Sequence, residues 1–166
     1  MIEIAVVAVI AGVLSSLAIP SMMGMMERNK LQATASRFKA VFQEAQRSAI
    51  RNGSTCTITI TPTTVTGSPV GCITEPITSR DTTDKKIAIK TISGSAIADI
   101  TSSYTVNFSY KGNTTSSRTF IITPNDIAND STAKNRKCLV ISLGIGIMRS
   151  GDWDYSTSPN RCTTAF

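Results

Sequence analysis

The chain has 166 residues, enough for one modest domain and an additional segment. Lys and Arg outnumber Asp and Glu by 17 to 11, and the net charge of +6 is too small to identify nucleic acid as a partner. The chain has no histidine, which excludes a Ser-His-Asp or Cys-His mechanism and removes the commonest metal ligand. We therefore predict no enzymatic activity, no metal site and no cofactor.

The sequence begins with a long apolar segment. Ile4–Met26 contains no charged residue, and Glu3 is the one charge in the first 26 positions. As a helix this segment would be about 35 Å long, enough to cross a bilayer. Arg28 and Lys30 follow at once, as in the positive flank of a membrane anchor. A plain signal anchor is therefore one alternative, although a carboxylate at this depth needs a partner.

The helix is predicted to continue beyond Met26 with a different pattern. Apolar side chains recur at steps of three and four, which predicts one buried stripe formed by Leu31, Ala35, Phe38, Phe42, Ala45 and Ala49. Asn52-Gly53 supplies a stop, since both residues tolerate left-handed backbone. We predict one helix over Ile2–Arg51, with a weak point between Gly12 and Pro20, because proline removes a backbone donor.

The order of residues at the start of the chain is distinctive. Glu3, Gly12 and Pro20 are spaced along the otherwise apolar segment Met1–Pro20. This segment resembles the N-terminus of type IV pilins and pseudopilins, whose mature chains begin Phe-Thr-Leu-Ile-Glu after a peptidase removes a basic leader. Met1-Ile2-Glu3 matches the later part of that start. We expect the leader and the first two mature residues, Phe and Thr, to lie outside this sequence.

The resemblance implies a role for each of three residues. Glu3 would pair with the N-terminal amine of a neighbouring subunit during assembly. Gly12 and Pro20 would bracket the segment that loses helix in assembled filaments. Elementary electrostatics agrees with the first role, because a carboxylate in a dry core is tolerated when a cation meets it there.

The same resemblance implies a structural subunit of a type IV pilus-like filament. Its partners would be further copies of itself, other pilins, a prepilin peptidase and the inner-membrane assembly machinery. The chain would lie in the bacterial inner membrane before assembly and in an extracellular pilus afterwards, with its head in the periplasm or outside the cell. Three segments are expected: a transmembrane or filament-core helix at 1–28, the amphipathic half of the same helix at 29–53, and an antiparallel β head at 54–166.

After Gly53 the pattern changes to alternation of apolar and polar residues, which is typical of strands. The alternation predicts strands at 55–60, 86–92, 104–110 and 118–123, and a return strand from Val65 toward Cys72. Residues 138–148 are predicted to form a further strand with glycine bends. A helix followed by antiparallel strands predicts an α+β fold with the sheet packed on one face of the helix. We predict that Gly151–Phe166 is rich in turns and tied back by Cys162.

The head contains four cysteines, Cys56, Cys72, Cys138 and Cys162. An even number in a Thr-rich chain predicts disulfides and an oxidising compartment. Three pairings are possible, and we favour Cys56–Cys72 with Cys138–Cys162 because each pair closes a local loop. Metal binding is the alternative, but no Cys-x-x-Cys spacing or histidine supports it.

A second resemblance covers Tyr104–Gly151, with Phe108, Lys111-Gly112-Asn113, Phe120-Ile121-Ile122, Lys137-Cys138-Leu139-Val140-Ile141-Ser142, Gly144 and Arg149 in order. This order resembles the head of the subgroup that contains H-type pseudopilins of type II secretion and minor pilins of natural transformation.

Two alternative functions follow from this second resemblance, a minor pilin that binds DNA and an H-type pseudopilin. Some of these minor pilins bind DNA through clustered arginines, but here isoleucines occupy the matching stretch 143–150 and leave Arg149 alone, with Arg161 nearby in the sequence. DNA binding gains from several phosphate contacts, so these two arginines are weak candidates.

Overall fold

The structure, a computed structural model, describes the backbone of residues 2–62, 64–78, 87–93, 96–100, 102–124, 136–154 and 161–164. Within the N-terminal helix, the described side chains are those of Val6, Val7, Ile10 and every residue from Gly24 onward. The side chains at positions 93, 96, 161 and 164 are outside the described set.

The N-terminal helix α1 (Ile2–Asn52) is continuous over 51 residues, which is about 76 Å at the usual rise. It passes through Gly12 and Pro20 without a break. A proline removes one backbone donor, and the hydrogen bonds on either side hold the helix together. The single chain therefore lacks the interruption that the sequence allows, and the loss of helix implied by the resemblance concerns assembled filaments.

The second half of α1 packs on the head along the predicted stripe. The side chains of Leu31, Phe38, Val41, Phe42, Ala45 and Ala49 are buried, and Ala35 packs against them. The helix ends as predicted at Asn52-Gly53. Gly53 has a φ of 62°, the Ser54 N–H donates to the Ala49 carbonyl at 3.2 Å, and the Gly53 N–H donates to the Ile50 carbonyl at 3.4 Å. These two bonds satisfy carbonyls that the last turn leaves without helical partners.

The head contains two antiparallel sheets. The smaller sheet has the order β2-β1-β5, formed by β1 (Cys56–Ile60), β2 (Val65–Ser68) and β5 (Tyr104–Phe108). Ile58 and Ile60 of β1 are buried with Val106 and Phe108 of β5, so alternation places these four side chains in the core.

The larger sheet has the order β4-β3-β6-β7-β8-β9. Its strands are β3 (Ile87–Ser93), β4 (Ala96–Asp99), β6 (Arg118–Pro124), β7 (Lys137–Ile141), β8 (Met148–Asp154) and β9 (Arg161–Thr164). Phe120 and Leu139 belong to the core shared with α1, whereas Ile121, Cys138 and Trp153 form a second cluster. The prediction of an α+β fold with a helix packed on antiparallel strands is confirmed.

One strand prediction is wrong. The segment 138–148 is not a single strand, because β7 ends at Ile141 and β8 begins at Met148. Gly144 and Gly146 have φ of 85° and 64°. This left-handed backbone, which glycine adopts readily, turns the chain between β7 and β8. The region after Gly151, predicted to be turn-rich, contributes the end of β8 and all of β9, and β4 has no counterpart among the predicted strands.

Two disulfides staple the head. Cys56 bonds to Cys72, with the Cα atoms 5.6 Å apart, and Cys138 bonds to Cys162, with the Cα atoms 5.8 Å apart. These are the pairs that local loop closure favours in the sequence. The first fixes the segment after β2 to the start of β1, and the second fixes the final strand β9 to β7.

Candidate assembly surface

The first half of α1 extends beyond the head and exposes apolar side chains. All five large apolar residues described there are exposed, from 51% at Val6 to 65% at Val7 and Met25, with Ile10 and Met26 between these values. Every residue from Gly24 to Lys30 is exposed, so burial by the head begins at Leu31. Exposed apolar surface of this kind is typical of an interaction site.

The three residues predicted to direct assembly lie in this half of α1. Gly12 and Pro20 are in the continuous helix. The side chain of Glu3 lies outside the described residues, as do most side chains of the apolar run Ile4–Met26. Within the described part of the chain, no helix presents a stretch long and apolar enough to cross a membrane.

One flank of the second half of α1 is clasped by the segment that follows β2. The Glu44 carboxylate accepts hydrogen bonds from the Thr74 N–H at 2.9 Å and from the Thr74 hydroxyl. The Ser48 hydroxyl donates to the Gly71 carbonyl at 3.0 Å, and Arg37 forms an ion pair with Glu75 at 3.3 Å. These contacts join the segment on either side of Cys72 to the helix.

The opposite flank of α1 meets two turns and a groove. The Gln46 side-chain amide donates to the Gly112 carbonyl at 2.8 Å and to the Ile145 carbonyl at 3.1 Å. Lys39 donates to the Ser150 hydroxyl at 3.2 Å, at the edge of a groove of about 410 Å³ between α1 and strands β7 and β8. Sequence reasoning did not identify Gln46, because an amide on a polar flank gives no signal of what it binds.

The structure places the two arginines considered for DNA contact near the end of the chain. Arg149 is exposed on β8, while the side chain of Arg161 on β9 is outside the described residues. The neighbouring segment exposes Leu143, Ile145 and Ile147 instead of cations. Among the described residues no cluster of His, Cys, Asp and Glu could hold a metal ion.

Comparisons with known proteins identify the architecture. The chain is similar in structure to the type IV minor pilin FimU of Pseudomonas aeruginosa, with a TM-score of 0.50 and 20% sequence identity over 80% of this chain and 95% of that one. The fold is that of a type IV pilin. No protein-family model matches the sequence, and no curated protein matches it. The likeness to FimU is therefore one of fold, and in this chain that fold is a long N-terminal helix followed by antiparallel strands.

The head covers one face of the helix from Leu31 to Ala49, and its hydrogen bonds fix both flanks there. The described side chains before Leu31 are all exposed. The described residues therefore divide α1 into a half that packs on the head and a first half, residues 2–30, which we name the rod and whose described side chains are all exposed.

Proposed function

We propose that this chain is a structural subunit of a type IV pilus-like filament and that it assembles through the first half of α1. The observation that carries the proposal is the exposure of Val6, Val7, Ile10, Met25 and Met26 on a helix that projects from a pilin-like head. A neighbour that is itself a type IV minor pilin supports membership of the same class of filament.

Burial of the apolar rod supplies the driving force for assembly. Each large aliphatic side chain contributes about 1.5–3 kcal/mol when it moves from water to an apolar environment. Before assembly the inner membrane is the apolar environment for this rod, and the rods of other subunits replace it in the filament. A prepilin peptidase and the assembly machinery of that membrane act on the chain first, and the pilus then carries the head outside the cell.

Glu3 is the residue we expect to set the position of each rod in the core. Its carboxylate would pair with the N-terminal amine of a neighbouring subunit, and the segment between Gly12 and Pro20 would lose helix as the rods pack. Glu3→Ala should leave the head folded and its disulfides formed, while the yield of sheared filaments falls sharply. Glu27→Ala, which removes an exposed carboxylate from the same helix, is the matched control. Normal filament yield from Glu3→Ala would contradict the pairing.

The direct test of the proposal is mass spectrometry of filaments sheared from cells that express the full chain, with subunit stoichiometry. We expect the chain to be present in the filament fraction. Dominance would identify a major pilin whose head forms the fibre surface, and trace amounts beside another pilin would identify a minor pilin. Absence from every filament preparation, with the chain retained in the membrane, would reject the filament function.

The two alternative functions have separate tests. DNA capture by a minor pilin would use Arg149 and Arg161, and a gel shift at low salt that compares the unmodified chain with the Arg149→Ala and Arg161→Ala variants measures it. An H-type pseudopilin would be required for protein secretion and would not form long surface fibres in its native host. The apolar turn beside Arg149 does not favour DNA, so the structural subunit remains our conclusion.

A further inference from the structure

The end of the head beside the C-terminus of α1 exposes a second group of large apolar side chains. Ile145 is 66% exposed, Leu143 64%, Tyr110 55% and Ile50 54%. Single apolar residues are common on protein surfaces, whereas a contiguous group marks an interaction site. We name this group the distal patch, and its members are Ile50, Tyr110, Leu143, Ile145 and Ile147.

Two glycines bring the parts of the distal patch together. A Cβ on Gly112 would lie 2.8 Å from Ile50 Cδ1, and a Cβ on Gly146 would lie 3.1 Å from the Gly112 carbonyl oxygen. The turn 109–112, which carries Tyr110, therefore touches both the end of α1 and the turn 142–147. The distal patch is one continuous surface built from three segments that are distant in the sequence.

The turn 142–147 is held in one conformation. The N–H groups of Thr114 and Gly144 each donate to the other residue's carbonyl, at 2.7 and 2.9 Å. The Gln46 side chain holds the Ile145 carbonyl from the helix side. A surface that is fixed before binding loses little conformational entropy when a partner docks.

Three exposed cations border the distal patch: Arg47, Arg51 and Lys111. The two arginines are on the last turns of α1, before and after Ile50 in the sequence. The Lys111 ammonium lies 5.5 Å from the centre of the Tyr110 ring, on the turn that touches Ile50. Each part of the distal patch on α1 and on the turn 109–112 therefore has a positive charge next to it.

No carboxylate of the described residues neutralises this border. Residues 45–62, 102–124 and 136–151 supply the distal patch and its cations, and none of these stretches contains Asp or Glu. The nearest acidic residue on α1, Glu44, accepts hydrogen bonds from Thr74 on the other flank of the helix. The described ion pairs engage other cations: Arg37, Lys90 and Lys137.

Apolar side chains inside a positive border favour one kind of partner. A second copy of the distal patch, or the rod of another chain with Arg28 and Lys30 at its end, would bring like charges together. Nucleic acid would pair with the cations, but its charged backbone offers little apolar surface to aliphatic side chains. An anionic bilayer satisfies both features, because its phosphates attract the cations and its acyl region accepts the aliphatic side chains.

We propose that the distal patch binds the surface of an anionic phospholipid bilayer. Leu143 and Ile145, the most exposed members, enter the boundary between headgroups and acyl chains. Tyr110 lies at the depth of the headgroups, where amphipathic rings are favoured, and the bordering cations contact the lipid phosphates. This binding activity goes beyond the proposed filament function and does not depend on it.

The bilayer bound in this way is a different one from the bilayer that holds the rod. Ile50 is 20 residues beyond Lys30, where the rod ends, on one continuous helix, which is about 30 Å along the helix axis. When the rod crosses one membrane, the distal patch is therefore held away from it and is free to meet a second membrane. The chain would then connect two bilayers.

Vesicle capture by the full chain tests the inference and needs no filament. The chain is incorporated through its rod into phosphatidylcholine vesicles, incorporation is confirmed by flotation, and a second population of fluorescent vesicles is added. We expect capture of added vesicles that contain phosphatidylglycerol and no capture of vesicles of phosphatidylcholine alone. High salt should weaken the capture, because it screens the attraction between the cations and the lipid phosphates.

Two pairs of variants separate the distal patch from the general positive charge of the protein. Leu143→Ser/Ile145→Ser should lower the affinity for anionic vesicles at least about tenfold. Val70→Ser, which changes an exposed apolar residue outside the distal patch, should leave the affinity unchanged. Arg47→Gln should lower it about fivefold. Lys137→Gln removes one cation at the end of β7 far from the turn 142–147 and should change the affinity little.

Each outcome decides for or against the proposal. Losses confined to Leu143→Ser/Ile145→Ser and Arg47→Gln support it. Equal capture of neutral and anionic vesicles would overturn it, and so would equal losses in Arg47→Gln and Lys137→Gln without a loss in the aliphatic variant.

Two further results would assign the distal patch to a protein partner and overturn the proposal. The first is that anionic vesicles are not captured at all. The second is that the protein-bearing neutral vesicles cluster with one another and that Leu143→Ser/Ile145→Ser abolishes the clustering, which would identify a second copy of the chain. Because the experiment contains no filament, failure of this inference leaves the proposed filament function standing.

Discussion

The two halves of α1 share one secondary structure and have opposite surroundings. From Leu31 to Ala49 the helix buries a stripe against two sheets, whereas from Val6 to Met26 every described side chain is exposed. The difference follows from the pattern of apolar residues. A helix that is apolar on one stripe is satisfied by one head, while a helix apolar on all sides needs neighbours on all sides. The first arrangement is satisfied within one subunit, whereas the second is the surface that the proposed filament would bury.

The largest expected contrast between the halves comes from removing one apolar side chain from each. Phe42 is fully buried, with its ring centroid 5.0 Å from that of Phe38 and 5.9 Å from that of Phe120. Phe42→Ala should lower the free energy of unfolding of the head by about 3–5 kcal/mol. Val7→Ala should change it by less than about 0.5 kcal/mol, because Val7 has no contact with the head to lose.

Chemical unfolding of the full chain in mild detergent measures both variants. Trp153 is the single tryptophan and is buried in the head, so its fluorescence reports unfolding of the head. Equal destabilisation by the two substitutions would contradict the division of α1 into a packed half and an exposed half.

The next effect concerns the segment that clasps α1. Replacing Cys56 and Cys72 by alanine opens a loop with a sequence separation of 16 residues and should cost about 3 kcal/mol. The amides of Gly71–Glu75 should then exchange with solvent faster, since the clasp to Ser48 and Glu44 loses its staple. The Cys138→Ala/Cys162→Ala variant is the control, with exchange of Gly71–Glu75 unchanged. Slow exchange of the Gly71–Glu75 amides in both variants would mean that the hydrogen bonds to α1 hold this segment without the disulfide.

A smaller effect is expected on the opposite flank of α1. Gln46→Ala removes two hydrogen bonds to carbonyls of the turns at Gly112 and Ile145 and should cost about 1–2 kcal/mol. Gln43→Ala is the control: it removes another glutamine side chain, one that lines the groove, and should leave the free energy of unfolding nearly unchanged. The two unfolding curves compare them directly, and equal curves would mean that the turns are held by their backbone bonds.

Most of the fold could be predicted from periodicity. The stripe from Leu31 to Ala49 and the alternation in β1 and β5 predicted which side chains are buried, because each of these segments has one side facing solvent and one side facing the core. The segment 138–148 was predicted to be one strand with glycine bends because its apolar run continues across Gly144 and Gly146, whereas the structure has two strands there. Leu143, Ile145 and Ile147 look like core residues in the sequence, yet they are exposed. An apolar strand and an exposed apolar turn can have the same composition, and the positive φ of Gly144 and Gly146 is what distinguishes this turn.

The site was predicted by a different kind of reasoning. Glu3, Gly12 and Pro20 were identified by resemblance to pilins, and they remain proposals, since their roles belong to the assembled filament. The hydrogen bonds of Gln46 could not be predicted, because they join segments that are 66 and 99 residues apart. Contacts of that range leave no periodic signal within either segment.

The smallest predicted effect concerns the contacts that hold the segment 71–75 on α1. Arg37 and Glu75 form an ion pair at 3.3 Å, but their side chains are 41% and 78% exposed. Water screens such pairs, so Arg37→Ala should cost less than about 1 kcal/mol. Glu44→Ala should cost more, since it leaves the Thr74 N–H and hydroxyl without their acceptor. Unfolding curves at low and high salt separate the two contributions. If Arg37→Ala were the costlier change and salt removed its cost, the clasp would be electrostatic, and the packed half of α1 would loosen as ionic strength rises.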